Sequence, residues 1–245
     1  MIYRAYDPDQ DGEAIRRIWR EVGWLPAEAD ETLLEPFLQS GRSLVAEMYG
    51  EAECLAASAP GTLRYLNDDL PFAGITAVAT GRVGRKQGLA KRLTANLVAQ
   101  CAADGALVCG LGMFEQGFYD QIGFGTGVYE RWVAFDPASL RLTGDLRSPR
   151  RLTKADWPQI HRSRLARLRK HGSVNLTPPT VSQVEMAWAA NGFGLGYYDG
   201  PEAELTHHLW FTTRNIERGP YRVLWTAFET HRQFLELLAV ISSLG

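Results

Sequence analysis

Ile75-Thr76-Ala77-Val78-Ala79-Thr80-Gly81-Arg82-Val83-Gly84-Arg85-Lys86-Gln87-Gly88-Leu89-Ala90 runs from an apolar strand, through a basic glycine-containing loop, into a helix. Leu89, Leu93, Leu97 and Cys101 then repeat at i, i+4, i+8 and i+12, one apolar stripe of an amphipathic helix. A helix start presents unpaired N–H groups and the positive end of its dipole, which suits a pyrophosphate. Gly88, lacking a Cβ, lets phosphates approach the backbone, and Arg85 and Lys86 add positive charge. Alone this is a weak signal, since many strand–loop–helix units carry a glycine.

A second motif follows one helix and one strand later: Gly117-Phe118-Tyr119-Asp120-Gln121-Ile122-Gly123-Phe124-Gly125. Between the two motifs, Gly105 stops the helix and Ala106 to Leu111 reads as a buried strand. Gln116 to Gln121 reads as a short helical piece, and Val128 to Phe135 as a closing strand.

Upstream, Met1 to Tyr6 is a short strand before a helix near Gly12 to Val22, with Ile15, Ile18 and Trp19 on one face. A second helix is expected over Glu28 to Leu38. Strands follow at Leu44 to Met48 and Cys54 to Pro60 around a turn at Gly50. Asn67-Asp68-Asp69 marks a turn before the strand Phe72 to Thr80.

Polar, Pro- and Gly-containing residues from Asp136 to Pro149 make a domain boundary, giving units 1–146 and 147–245. The second unit echoes the first: Arg4-Ala5-Tyr6, Asp11 and Ile15-Arg16-Arg17 return as Arg151-Leu152-Thr153, Asp156 and Ile160-His161-Arg162. Two helices are expected at Asp156 to Lys170 and Val181 to Ala190. Strands near Phe193 to Tyr198, Leu205 to Phe211 and Tyr221 to Phe228 precede a helix from Thr230. The element order of the first unit therefore repeats. A unit of this kind normally adds one more strand after that helix, so the chain is expected to be part of a longer protein.

Apolar residues make up 45% of the chain and charged residues 22%, a balance that buries a core and excludes a disordered class. No run approaches the length of a membrane span, and the N-terminus carries no secretory pattern. The three cysteines, Cys54, Cys101 and Cys109, show neither metal-ligand spacing nor a paired framework. The expectation is a cytoplasmic protein without a metal. Residues 1–146 hold 20 Asp/Glu against 13 Lys/Arg, a balance of −7, whereas 147–245 hold 8 against 13, a balance of +5. The acidic half suits a cationic substrate rather than nucleic acid. The basic crowd over 147–170 lacks the aromatic interleaving of a nucleic-acid platform.

Arg85, Gly88 and Ala90, followed by Phe118, Tyr119, Gly123 and Phe124, resemble the paired motifs of the GNAT acetyltransferase superfamily. Ala73 to Ala79, Glu115, Tyr119, Gly123, Gly125 and the degenerate repeat resemble its Eis (enhanced intracellular survival) branch. The resemblance implies a mixed α/β GNAT-type fold, followed by a second, incomplete GNAT-like unit without a CoA site. It implies acetyl-CoA as co-substrate and direct transfer to an amine acceptor, with no membrane or nucleic-acid partner, in a homo-oligomer. Main chain of Val78, Ala79 and Thr80 would pair with the pantetheine arm, and Arg85, Lys86, Gln87, Gly88, Leu89 and Ala90 would hold the pyrophosphate. Tyr119 would be the general acid toward the departing thiolate. The branch takes its base from the carboxylate ending a third, sterol-carrier-like domain that these residues do not contain, which leaves Glu115 as the fallback base. Phe114 replaces a small polar residue of the branch. Trp24, with Glu28, Asp30, Glu31 and Glu35 after it, is the expected acceptor site for a polyamine or an aminoglycoside-like sugar.

Two other readings compete: a non-catalytic acyl-CoA-binding or scaffold protein on the same fold, and a nucleotide-binding Rossmann unit. A scaffold needs neither Gly88 nor Tyr119, and the chain lacks G-x-G-x-x-G after its first strand.

Overall fold

The computed structural model describes the whole chain except residues 26–29, 114–116, 128, 130 and 143–146. Its contacts form two compact units that interleave: 1–127 with 170–181, and 128–169 with 182–245.

The first unit is a sheet in the order β1 (Ile2–Ala5), β2 (Arg42–Met48), β3 (Glu51–Tyr65), β4 (Asp68–Thr80), β5 (Val108–Gly110). All neighbours are antiparallel except β4 and β5, which run parallel. Helix α1 (Pro8–Glu21) starts at an Asp7 cap with Pro8 in its first turn, a pre-set helix entry. The expected second helix divides into a 3₁₀ turn at Glu31–Leu33 and the short α2 (Leu34–Gln39), with 26–29 outside the described residues. Helix α3 (Leu89–Ala103) begins at Leu89, after a run of turns over 82–88. Its predicted stripe is the core: Leu89, Leu93, Leu97 and Cys101 are each 5% exposed or less and pack on Leu44, Ala46, Cys54, Ala56, Ala73 and Ile75.

Several strands differ from the sequence reading. β3 and β4 extend past the core as a hairpin turning at Leu66-Asn67, and β7 (Val174–Leu176) pairs with β3 through Gly61, Thr62 and Leu63. The strand expected over Val128 to Phe135 does not form among the described residues, where Tyr129, Trp132 and Val133 are 65%, 54% and 79% exposed. That stretch alternates as a strand does, but alternation becomes a strand only beside a partner ladder. Here Trp132 instead lies under the Arg222 guanidinium, 3.9 Å from its ring centre.

The second unit is an antiparallel sheet in the order β10 (Arg222–Ala227), β9 (Glu204–Thr212), β8 (Phe193–Asp199), β6 (Arg150–Leu152). α4 (Trp157–Ala166) and Met186, from α5 (Pro179–Ala187), share a core with Leu152, Leu205 and Trp210. α6 (His231–Ser242) shares another with Tyr197, Leu209 and Phe211. Strand, two helices, strands and helix thus recur in the order read from the sequence. No helix among the described residues is long and apolar enough to cross a membrane.

His208 on β9 is fully buried, and burial pushes its imidazole down to about 3. Its Nε2 accepts from Trp225 Nε1 at 3.2 Å, so Nδ1 carries the proton toward Ser163 Oγ at 3.1 Å. A histidine depressed below its unfolded value of about 6.5 takes up a proton only on unfolding, so stability falls as pH drops from that value toward the folded one. Urea denaturation of the chain should lose up to about 1.4 kcal/mol per pH unit in that window, and His208→Gln should flatten the slope.

Candidate active site

β4 pairs with β5 only through Phe72, Ala73 and Gly74, opposite Val108, Cys109 and Gly110. Beyond that point the edge of β4 from Ile75 to Thr80 carries no neighbouring strand on the β5 side among the described residues. β4 is also bulged here: Ala77 and Val78 together oppose Ala56, between the pairs Thr76↔Ala57 and Ala79↔Leu55. Ala77 takes a φ of 53°, a left-handed conformation that costs a non-glycine residue about 1–2 kcal/mol. A bulge re-aims the strand and frees main-chain groups that a regular ladder would use. The main chain of Val78, Ala79 and Thr80 lies along this edge, which faces no strand on the β5 side among the described residues.

Past Thr80 the chain turns through 82–88 to Gly88, which caps α3 with a φ of 73°. Among the described residues that cap makes no side-chain hydrogen bond to the first turn. A Cβ built on Gly88 would meet nothing within 4 Å. The glycine is therefore needed for its backbone conformation, and the space that a Cβ there would occupy is open. Arg85, Lys86 and Gln87 are exposed beside it, while Leu89 is buried and Ala90 half-buried. A polyphosphate fits this arrangement: uncapped donors, an aligned dipole, free approach and two cations.

The second motif folds onto the same helix. Tyr119 opens a 3₁₀ turn (Tyr119–Ile122) closed by Gly123 at a φ of 92°. Lys91 Nζ donates to Gln121 Oε1 at 3.3 Å, and Gln121 Nε2 donates to the Gly117 carbonyl at 3.1 Å. Tyr119 is half-buried, with edge-on contacts to Phe118 at 4.9 Å and Phe124 at 5.9 Å. Phe124 in turn packs against the α3 core. Burial, and then the nearby Cys54 sulfur, push the Tyr119 hydroxyl upward. Cys54 faces Thr80 across the sheet, Sγ to Oγ1 at 3.3 Å, and burial raises its thiol to about 11. The Ala77 bulge is a feature of β4 that the sequence reading missed.

Other expected residues fare differently. Glu115, Phe114 and Glu28 lie outside the described residues. Trp24 stands edge-on to the buried Trp19 at 5.6 Å, in a cluster with Phe37. Its acidic neighbours are engaged within the chain: Glu31 pairs with Arg20 and Arg16, Glu35 accepts from the Tyr6 hydroxyl at 2.6 Å, and Asp30 caps Thr32. A groove of about 810 Å³ lies at the other end of α3, lined by Cys101, Asp104 and Gly105. At 1.5 Å rise per residue that is about 20 Å from the loop.

Over 99% of its length the chain shares its fold with three solved proteins. A probable N-acyltransferase of unknown function from Enterococcus faecalis V583 has a TM-score of 0.76 at 17% identity. Eis1 from Mycobacterium abscessus has 0.73 at 16%, and a GCN5-related N-acetyltransferase from Anabaena variabilis 0.73 at 14%. The chain spans 62%, 63% and 62% of those proteins respectively. No curated protein matches the sequence. The acetyltransferase (GNAT) domain family matches residues 4–127, the part that carries the bulge, the loop and Tyr119. The chain belongs to the GNAT acetyltransferase family, whose enzymes transfer acetyl from acetyl-CoA to an amine.

Proposed function

We propose that the first unit transfers acetyl from acetyl-CoA to an amine of a small cationic acceptor, a polyamine or an aminoglycoside-like sugar. The observation that carries this reading is the start of α3 at Gly88, where a side chain would meet empty space, with Tyr119 in the turn that Lys91 ties to the same helix. Main chain of Val78, Ala79 and Thr80 holds the pantetheine arm, and main chain from Arg85 to Ala90 holds the pyrophosphate. Bound acetyl-CoA supplies the activated acyl group. A base removes the amine proton, and we assign this to Glu115. Tyr119 then delivers its phenolic proton to the departing thiolate.

We assign no CoA site to the second unit. At the start of α6 Thr230 Oγ1 accepts from the Gln233 N–H at 3.3 Å, and Gln233 Oε1 accepts from the N–H groups of Glu229 and Thr230. This capping box uses the donors that α3 leaves open. We further propose a homo-oligomer in the cytoplasm, in keeping with three free cysteines, of which Cys54 and Cys101 are buried.

The acceptor's charge rests on the −7 balance of residues 1–146, since Glu31 and Glu35 are already paired within the chain. Thiol release measured across a panel of amines should rise with amine count. The KM of the best acceptor should rise with salt, as the Debye length falls from about 10 Å at 0.1 M to about 3 Å at 1 M. Neutral amines accepted equally well, with no salt effect, would rule out a cationic acceptor.

A further inference from the structure

The loop that follows Thr80 is a succession of turns, and it is fastened at its root by α1. Gly81 N–H donates to the Glu53 carbonyl at 2.8 Å, and Arg82 N–H donates to Glu21 Oε2 at 2.7 Å. Glu21 is the last residue of α1, and its side chain is 17% exposed. One turn earlier, Arg17 reaches Glu21 Oε1 at 3.5 Å, Glu53 Oε1 at 2.9 Å and the Ala52 carbonyl at 3.3 Å. Glu53 is 5% exposed, and its other oxygen has no hydrogen-bond partner among the described residues. That oxygen lies 2.3 Å from where a Cβ on Gly81 would stand. The root of the loop thus sits between a main-chain bond from β3 and a carboxylate from α1, with Arg17 tying the two carboxylates together.

Apart from its pairing with Arg17 at 3.5 Å, Glu21 stands in an unfavourable field. It ends a helix, where the dipole disfavours a carboxylate, and it lies beside a loop read as a polyphosphate site, where negative charge repels the ligand. Its hydrogen bond to Arg82 N–H offsets both. A loop fastened before binding loses less freedom on binding. We propose that Glu21 is a positioning residue for acetyl-CoA, holding the root of the loop so that the Gly88 end of α3 is presented already ordered. This rests on the reading of 85–90 as the pyrophosphate site.

Titration of the full chain with acetyl-CoA tests it, because charge and positioning predict opposite signs. Glu21→Ala should raise Kd about tenfold, the size of one charge-assisted hydrogen bond. The KM for acetyl-CoA should rise with it, while kcat at saturating donor and the melting temperature stay near the parent's. Glu21→Gln keeps an acceptor oxygen and removes the charge, so it should bind as well as the parent or more tightly. Gly81→Ala, whose methyl would crowd Glu53, should weaken binding from the other side. If Glu21→Ala binds unchanged or more tightly while Gly88→Asp abolishes binding, the positioning role is overturned. A Glu21→Gln as weak as Glu21→Ala overturns it too. If Gly88→Asp itself leaves Kd unchanged, the loop is not the acetyl-CoA site, and that reading fails first.

Discussion

Replacing Tyr119 with Phe should lower turnover by about 10²-fold or more, the usual scale for a general acid, and leave acetyl-CoA affinity nearly intact. The substitution isolates the hydroxyl because the ring is what the fold uses. Edge-on contacts to Phe118 and Phe124, and the bond from Phe124 N–H to the Tyr119 carbonyl at 3.2 Å, all survive in phenylalanine. The direction of the hydroxyl's shift fits the role. Burial and the Cys54 sulfur raise it above its ordinary value near 10, so the phenol stays protonated across the neutral range and is available as a donor. Any alkaline fall in kcat owed to Tyr119 should therefore lie above pH 10 and vanish in the Phe variant. Thiol release with the best acceptor from the amine panel reads both effects. Turnover equal to the parent's would leave Tyr119 with a packing role only.

Local chemistry made much of this site readable. A helix stripe of Leu89, Leu93, Leu97 and Cys101 has one solution, burial against a sheet, and all four are buried. Gly88 was legible as a glycine marking a helix start, although its left-handed φ was hidden behind the phosphate argument. The order strand–loop–helix–strand–aromatic turn then set Tyr119 against the same helix. What stayed illegible depends on contacts distant in sequence. The bulge at Ala77 and Val78 arises from register against Ala56 on the neighbouring strand, and alanine is an unlikely advertisement for a positive φ. The pairing of Glu21 with Arg82 spans 61 residues, beyond any periodicity. β7 is three residues of strand that exist because β3 overruns the core and leaves an edge to fill. The setting of Trp24 was equally hidden: an aromatic among acids reads as a cation site, and in the fold Trp24 packs on Trp19 while Glu31 meets arginine, Glu35 a tyrosine and Asp30 a helix cap.

Gly88→Asp should weaken acetyl-CoA binding by about 10²-fold or more. Three effects act on that position, and they separate. The left-handed backbone at a φ of 73° disfavours any side chain, by about 1–2 kcal/mol for most residues and less for Asp, whose side chain bonds locally in that region. The new carbon enters space that is empty in the protein alone, so folding itself is spared a clash. The carboxylate then stands where a phosphate must come. At about 5 Å and an effective dielectric constant of 20, two unit charges repel by about 3 kcal/mol, or a factor of about 10² in Kd. The same carboxylate also satisfies first-turn N–H groups of α3, as an aspartate N-cap does, and so competes for the donors the pyrophosphate needs. Gly88→Ala carries the strain without charge or capping and should cost far less. Repulsion is screened by salt whereas capping and strain are not, so raising ionic strength should recover part of the loss in the Asp variant and none in the Ala variant. A folded Gly88→Asp that binds acetyl-CoA as the parent does would take the start of α3 out of the site, and the assignment of Arg85 to Ala90 with it.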